Sequence, residues 1–223
     1  MPEEYLTDDE QLEEVKRLAG EYGPWIIGAV ALGLAFVAGY RYYHHHIDER
    51  AMKAAAQFHD LTSAVSQNDP ARALLIADAL IKNYAGSPYA DQAQLMIARL
   101  SLDQGQDENA IAPLTEVIEH SKDSELKHIA RLRLARVQVD QGKPDEALKT
   151  LSDSPGAFAA RYHEVRGDAL FAKKDLRGAA DEYRAALAEA AAGSMDGALV
   201  ALKIADLGLP AATAPPAPTQ AKP

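Results

Sequence analysis

From Tyr22 to Tyr40 the chain stops mixing polar and apolar positions: Glu21 precedes the run, Arg41 follows it, and the 19 residues from 22 through 40 carry no charge. At ~1.5 Å per residue a helix of that length reaches ~28 Å, close to the ~30 Å hydrocarbon core of a bilayer. Trp25, Ile26, Ile27, Val30, Leu32, Leu34, Phe36 and Val37 fall on all sides of such a helix, which suits a rod in lipid better than a one-sided core helix. Trp25 at one end and Tyr40, Tyr42 and Tyr43 at the other occupy positions where amphipathic rings prefer the headgroup level. A cleavable signal peptide would use Val37-Ala38-Gly39 as its small-residue site. The segment ahead of the run is acidic instead of basic, so a retained anchor over 22–43 is the expectation.

Beyond the anchor, apolar positions recur at helical spacing from 47 to 207, with no alternating strand pattern. Ala73, Ala110, Ala147 and Ala179 each sit early in a helix behind a turn: Gln67-Asn68-Asp69-Pro70, Gln104-Gly105-Gln106-Asp107, Gln141-Gly142-Lys143-Pro144 and Lys173-Lys174-Asp175-Leu176. Their spacings of 37, 37 and 32 residues lie near the 34-residue period of tetratricopeptide-like helical hairpins. The expected fold is all-α: a single N-terminal transmembrane helix followed by a tetratricopeptide-like α-solenoid over 47–207.

The fourth unit carries the register best, with small Gly167 and Ala179 where two helices would cross, and Tyr183 and Ala186 filling the seam to the next unit. The second repeats this with Ala98, Gly105, Ala110, Ile111 and Leu114, and the third with Ala135, Gly142, Ala147, Leu148 and Leu151. The first is degenerate, with Leu61 where a small residue is expected, and no unit has the tryptophan of the repeat pattern. Met195 to Leu207 reads as a capping helix, and 208–223, rich in Pro and Ala, as a disordered tail.

Ahead of the anchor, 1–21 forms an acidic tail. Thr7 and Glu10 match a capping box, Leu12, Val15 and Leu18 share one side of a short helix, and Gly20 followed by Gly23-Pro24 predicts a stop before the spanning helix begins. Ala29 with Gly33, Ala31 with Ala35, and Ala35 with Gly39 are small pairs of a kind common in spanning helices and also compatible with close packing of a second helix.

In such repeats the first helix of each hairpin lines the concave surface. That assigns Leu95, Arg99 and Leu102 to it from the second unit, Leu132, Arg136 and Val139 from the third, and Glu164, Asp168 and Phe171 from the fourth. Mixed apolar and charged groups suit an extended protein segment. Arg99 with Asp103 and Arg136 with Asp140 are equally ordinary i, i+4 pairs of a wet helix face.

Charge and composition narrow the chemistry. Of the net −10, residues 1–21 hold −6 and residues 41–223 hold −4, and neither part has the basic stripe of a nucleic-acid binder. The chain has no cysteine, which removes disulfides and thiolate chemistry. Three adjacent imidazoles, His44-His45-His46, point in different directions on a helix and make no single metal site. No phosphate loop, nucleophile elbow or zincin helix occurs, and His59, His120, His128 and His163 have no obvious carboxylate or nucleophile at motif spacing. Neither an enzyme nor a cofactor is expected. Lys16 and Arg17 before the span against Arg41, Arg50 and Lys53 after it leave orientation nearly balanced.

Thr7-Asp-Asp-Glu-Gln-Leu-Glu-Glu14, then Gly23-Pro-Trp-Ile-Ile27, then Tyr40-Arg-Tyr-Tyr43, set ahead of a divergent repeat domain, resemble the YfgM family, the ancillary subunit of the bacterial SecYEG translocon. The likeness covers essentially the whole chain except its Pro/Ala tail. It implies a single-pass protein of the inner membrane with a cytoplasmic N-terminus and a periplasmic repeat domain. Its implied partners are the SecYEG translocon, a PpiD-type periplasmic chaperone and unfolded, newly translocated proteins, whose chaperoning it would assist. The family has no short catalytic signature to carry over. A cytoplasm-facing scaffold or regulator of a signalling or assembly partner is the competing class.

Overall fold

The computed structural model describes residues 8–190 and 196–208; Thr7, Met195 and the tail beyond 208 lie outside the described residues. Among those described every regular element is helical. They are α1 (Asp8–Ser66), α2 (Pro70–Asn83), α3 (Pro88–Asp103), α4 (Asp107–His120), α5 (Ser124–Asp140), α6 (Pro144–Thr150), a single 3-10 turn (Gly156–Phe158), α7 (Ala159–Ala172), α8 (Leu176–Glu189) and α9 (Gly197–Asp206). The chain divides into two compact units, residues 1–53 and 54–223.

The first unit corrects one expectation. Helix α1 is continuous for 59 residues with Pro24 inside it, so neither the stop at Gly20 nor the break at Gly23-Pro24 is realised. Neither glycine takes the left-handed conformation with which a glycine closes a helix. Two glycines at about 1 kcal/mol each and one missing N–H are outweighed by cooperative propagation through long helical segments on both sides. The apolar window is nowhere buried. Trp25 is 78% and Phe36 74% exposed, and Ile27, Val30, Leu32, Leu34 and Val37 are exposed with them; the side chain of Ile26 lies outside the described set. This helix is long and apolar enough to cross a membrane.

In the second unit, helices that follow one another pack as antiparallel hairpins around four successive apolar clusters. The end of α1 contributes Leu61 and Ala64 to the first, with Ala73, Ala77 and Leu80 of α2. Ala98, Ala110, Leu114 and Val117 belong to the second, and Ala135, Ala147, Leu151, Tyr162 and Val165 to the third. Ala179, Tyr183 and Ala186 of α8 meet Val200 and Leu207 of the last helix in the fourth. Gly167 is buried as well. Small residues at these crossings let backbones approach, and Leu61, where the first unit has no small residue, is fully buried in its cluster.

The four predicted turns share one geometry. Asn68, Gly105, Gly142 and Lys174 take φ values of 56°, 68°, 71° and 67°. After each, the next N–H bonds five residues back, Asp69 to Ala64, Gln106 to Ser101, Lys143 to Gln138 and Asp175 to Leu170, at 2.8–3.0 Å. This is the Schellman closure of a helix, which glycine adopts freely and lysine does not. Lys174→Gly therefore relieves a left-handed lysine while losing its contact with the Phe171 ring at 5.8 Å. The expected net gain is about 0.5–1 kcal/mol, read as a higher urea midpoint at unchanged slope. A lower midpoint would mean the turn is held by Lys174 itself.

Candidate partner groove

Helices α5, α7 and α9 enclose a cleft of about 510 Å³ lined by Arg136, Val139, Asp140, Glu164, Asp168, Phe171, Ala172 and Lys203. Positions 164, 168, 171 and 172 follow the i, i+4, i+7, i+8 rule, which sets them along one face of α7. Asp196 caps the N-terminus of α9 by accepting from the N–H groups of Ala198 and Leu199, and Val200 and Leu207 bury the helix against α8. That fixes Lys203 over α7.

A charge network forms the floor. Lys203 Nζ lies 3.0 Å from Glu164 Oε1, 2.8 Å from Asp168 Oδ1 and 2.9 Å from Asp168 Oδ2. Tyr183 Oη donates to Asp168 Oδ1 at 2.7 Å, and Arg136 approaches Glu164 from the other side at 3.6 Å. Burial works against the Lys203 ammonium, but hydrogen bonds and charge from Asp168 and Glu164 outweigh it and hold the lysine above its ordinary range. Burial, then the hydrogen bond to Asp168, pushes the Tyr183 phenol far up. Both groups hold their protons more tightly folded than unfolded. Their stabilisation is thus complete below about pH 10 and is lost as pH rises from the unfolded values toward the folded ones. Thermal melts should show a decline above about pH 10 that is shallower in Tyr183→Phe; an equally steep decline in that variant would remove Tyr183 from the account.

Arg136, Val139, Glu164, Asp168 and Phe171 thus come together in one cleft. Two assignments need correction: Leu95 is 6% and Leu132 3% exposed, each inside an apolar cluster with the small residue three positions later. In these two units the side chain at that register position points into the seam between helices, not toward a partner. The fourth unit differs because the equivalent position holds Glu164, which keeps 13% of its side chain exposed and is paired on both sides by cations. Arg99 stays exposed with Asp103 at 3.6 Å, and Leu102 packs against the second cluster.

Lys203 carries no motif in the sequence, although it is the one cation in a final helix whose other residues, Asp206 at its end excepted, are apolar. His120, His128 and His163 also have companions, of which only the i, i+4 pair of His120 with Glu116 is suggested by spacing. His163 Nδ1 lies 2.6 Å from Glu182, His120 lies 3.3 Å from Glu116, and His128 meets Tyr162 Oη at 2.8 Å while stacking on Phe158. The His163 contact ties α7 to α8 and the His128 contacts tie α5 to α7 and the turn before it, while the His120 pair lies within α4.

Comparison with known proteins agrees with this architecture. A family model described as a tetratricopeptide repeat-like domain matches residues 16–209. The ancillary SecYEG translocon subunit of Escherichia coli is 31% identical over 182 residues, 81% of this chain and 87% of that protein. The subunit of the same name in Haemophilus influenzae is 28% identical over 182 residues, 81% of this chain and 89% of its own length. With an anchor-length apolar helix and stacked hairpins inside that match, the chain belongs to the family of ancillary SecYEG translocon subunits.

Proposed function

We propose that this protein is a single-pass inner-membrane recognition subunit of the SecYEG translocon, with its N-terminus cytoplasmic and its repeats in the periplasm. There it assists newly translocated chains together with a PpiD-type chaperone. The observation that carries this reading is the reach of the family match, which begins at residue 16 and takes in the apolar run as well as the repeats. The run exposes its apolar side chains on every side, as a helix does when lipid is its solvent. The groove supplies the recognition: charged groups already paired within the protein, beside apolar Val139 and Phe171, favour weak contact with an extended segment. Held beside the channel exit, such a groove meets emerging chains at an effective concentration in about the millimolar range, so weak contacts suffice. Its work is recognition, not catalysis.

The cysteine-free sequence permits a direct test. With Glu13→Cys and Lys122→Cys as single labels, a membrane-impermeant maleimide applied to spheroplasts is expected to modify position 122 and to reach position 13 only after lysis. The opposite pattern supports the cytoplasm-facing scaffold, which the two-against-three count of basic residues around the span also favours. Failure of the full chain to co-purify with SecYEG from mild detergent would overturn the translocon reading.

A further inference from the structure

Three arginines converge where the first helices of the second and third hairpins meet. Arg133 reaches across from α5 and donates Nη1 to the backbone carbonyl of Leu95 on α3 at 3.2 Å. Arg99 stands four residues after Leu95, one turn along the same face of α3, and Arg136 stands one turn after Arg133 on α5. Arg99 and Arg136 have carboxylate neighbours, Asp103 and Glu164, each at 3.6 Å. Arg133 is different. Among the described residues its hydrogen-bond partner is a neutral carbonyl and no ion pair joins it to a carboxylate. Burial, followed by the repelling charges of Arg99 and Arg136, lowers its pKa. A half-buried guanidinium beside two like charges, with most of its five donors unspent, is complementary to an anion that approaches from outside.

The setting identifies that anion. Residues 41–223, which hold the repeats, carry −4, and Arg133 is a positive charge among them that no carboxylate of the described residues pairs, so an acidic side chain is attracted at this position. Through Arg136 the trio adjoins the cleft that holds Val139 and the 44%-exposed Phe171, and Leu102 lies one turn beyond Arg99. A charged pocket with apolar neighbours on both sides fits one polypeptide segment.

We propose that Arg99, Arg133 and Arg136 form a carboxylate subsite of the groove, which receives an Asp or Glu side chain of an extended client segment whose flanking apolar residues rest near Leu102 and Phe171. Arg133 supplies the planar fork, and Arg99 and Arg136 supply the field. The inference rests on the groove reading above and adds the charge of what the groove selects.

The test uses the full chain in detergent micelles and a short, C-terminally amidated fluorescent peptide bearing Glu-Leu-Glu-Leu, against the same peptide with Gln in place of Glu. Anisotropy should show the Glu peptide binding about tenfold more tightly at low salt, with the difference shrinking as salt is raised. Arg133→Gln should abolish the preference at unchanged melting temperature. Arg133→Lys, which keeps the charge but not the fork, should restore part of it. If Arg133→Gln fails to fold, the exposed Arg99→Gln serves in its place and should lower the preference about threefold. Equal binding of the two peptides, or a preference that survives both Gln substitutions, overturns the carboxylate subsite while leaving the groove in place. Absence of binding by either peptide overturns the groove reading itself.

Discussion

Leu34→Arg is expected to release the protein from the membrane. At the centre of a spanning helix an arginine costs about 2.5–3.5 kcal/mol, and the leucine it replaces contributes about 0.3–0.6 kcal/mol in favour of insertion. Ile26, Ile27, Val30, Leu32, Leu34, Phe36 and Val37 together favour insertion by roughly 2–4 kcal/mol on the same scale. One substitution thus brings the balance close to zero, a shift of roughly a hundredfold in partition or more. Leu34 is exposed, so the substitution removes little packing and the repeats should keep their helical content and melting temperature. Carbonate extraction is the measurement, with Leu12→Arg, outside the apolar run and also exposed, as the control that stays in the pellet. If Leu34→Arg remains as resistant to extraction as Leu12→Arg, α1 is not a membrane anchor.

What could be read from sequence follows the range of the interactions. The turns were legible because their chemistry is local: a left-handed closing residue at 68, 105, 142 and 174 recurs at the repeat spacing and sits within one helical turn of the atoms it bonds. The small residues at the crossings were legible for a similar reason, since Ala98, Ala110, Ala135, Ala147, Gly167 and Ala179 recur with the repeats as small side chains, and all are buried. Leu95 and Leu132 were misplaced because repeat register alone cannot say whether a leucine at the rim of a helix face turns toward the groove or the seam. The answer depends on the neighbouring helix, tens of residues away. The floor of the groove depends on still longer range, because Lys203 meets Glu164 and Asp168 across 39 and 35 residues of sequence. Nothing near either carboxylate announces the lysine. Pro24 failed in the opposite sense: a strong local breaker was outvoted by its surroundings.

Gly167→Leu should be the most destabilising single substitution in the repeats, because it acts where packing and the charge network share one side chain. A Cβ at position 167 would overlap the Tyr183 ring. That ring cannot withdraw easily: Tyr183 is buried and its hydroxyl is held by Asp168 at 2.7 Å. Replacing a helical glycine gains up to about 1 kcal/mol in backbone propensity, while overpacking a tight core costs about 1–3 kcal/mol and occasionally more. For alanine these terms nearly offset. For leucine the larger side chain must push α8 away from α7, which also separates Tyr183 from Asp168 and loosens the seat of Lys203, so a loss of about 3 kcal/mol or more is expected. Ala179→Leu, at the same crossing but without the tyrosine link, should cost less, about 1–3 kcal/mol. A double-mutant cycle separates the causes: with Tyr183→Ala the space opens, and Gly167→Leu should then cost at least about 1 kcal/mol less than in the parent. Urea unfolding of the full chain in detergent measures each corner. Costs that add without coupling would mean the two side chains do not compete for the same space, and the close α7–α8 crossing that positions the groove would have to be abandoned.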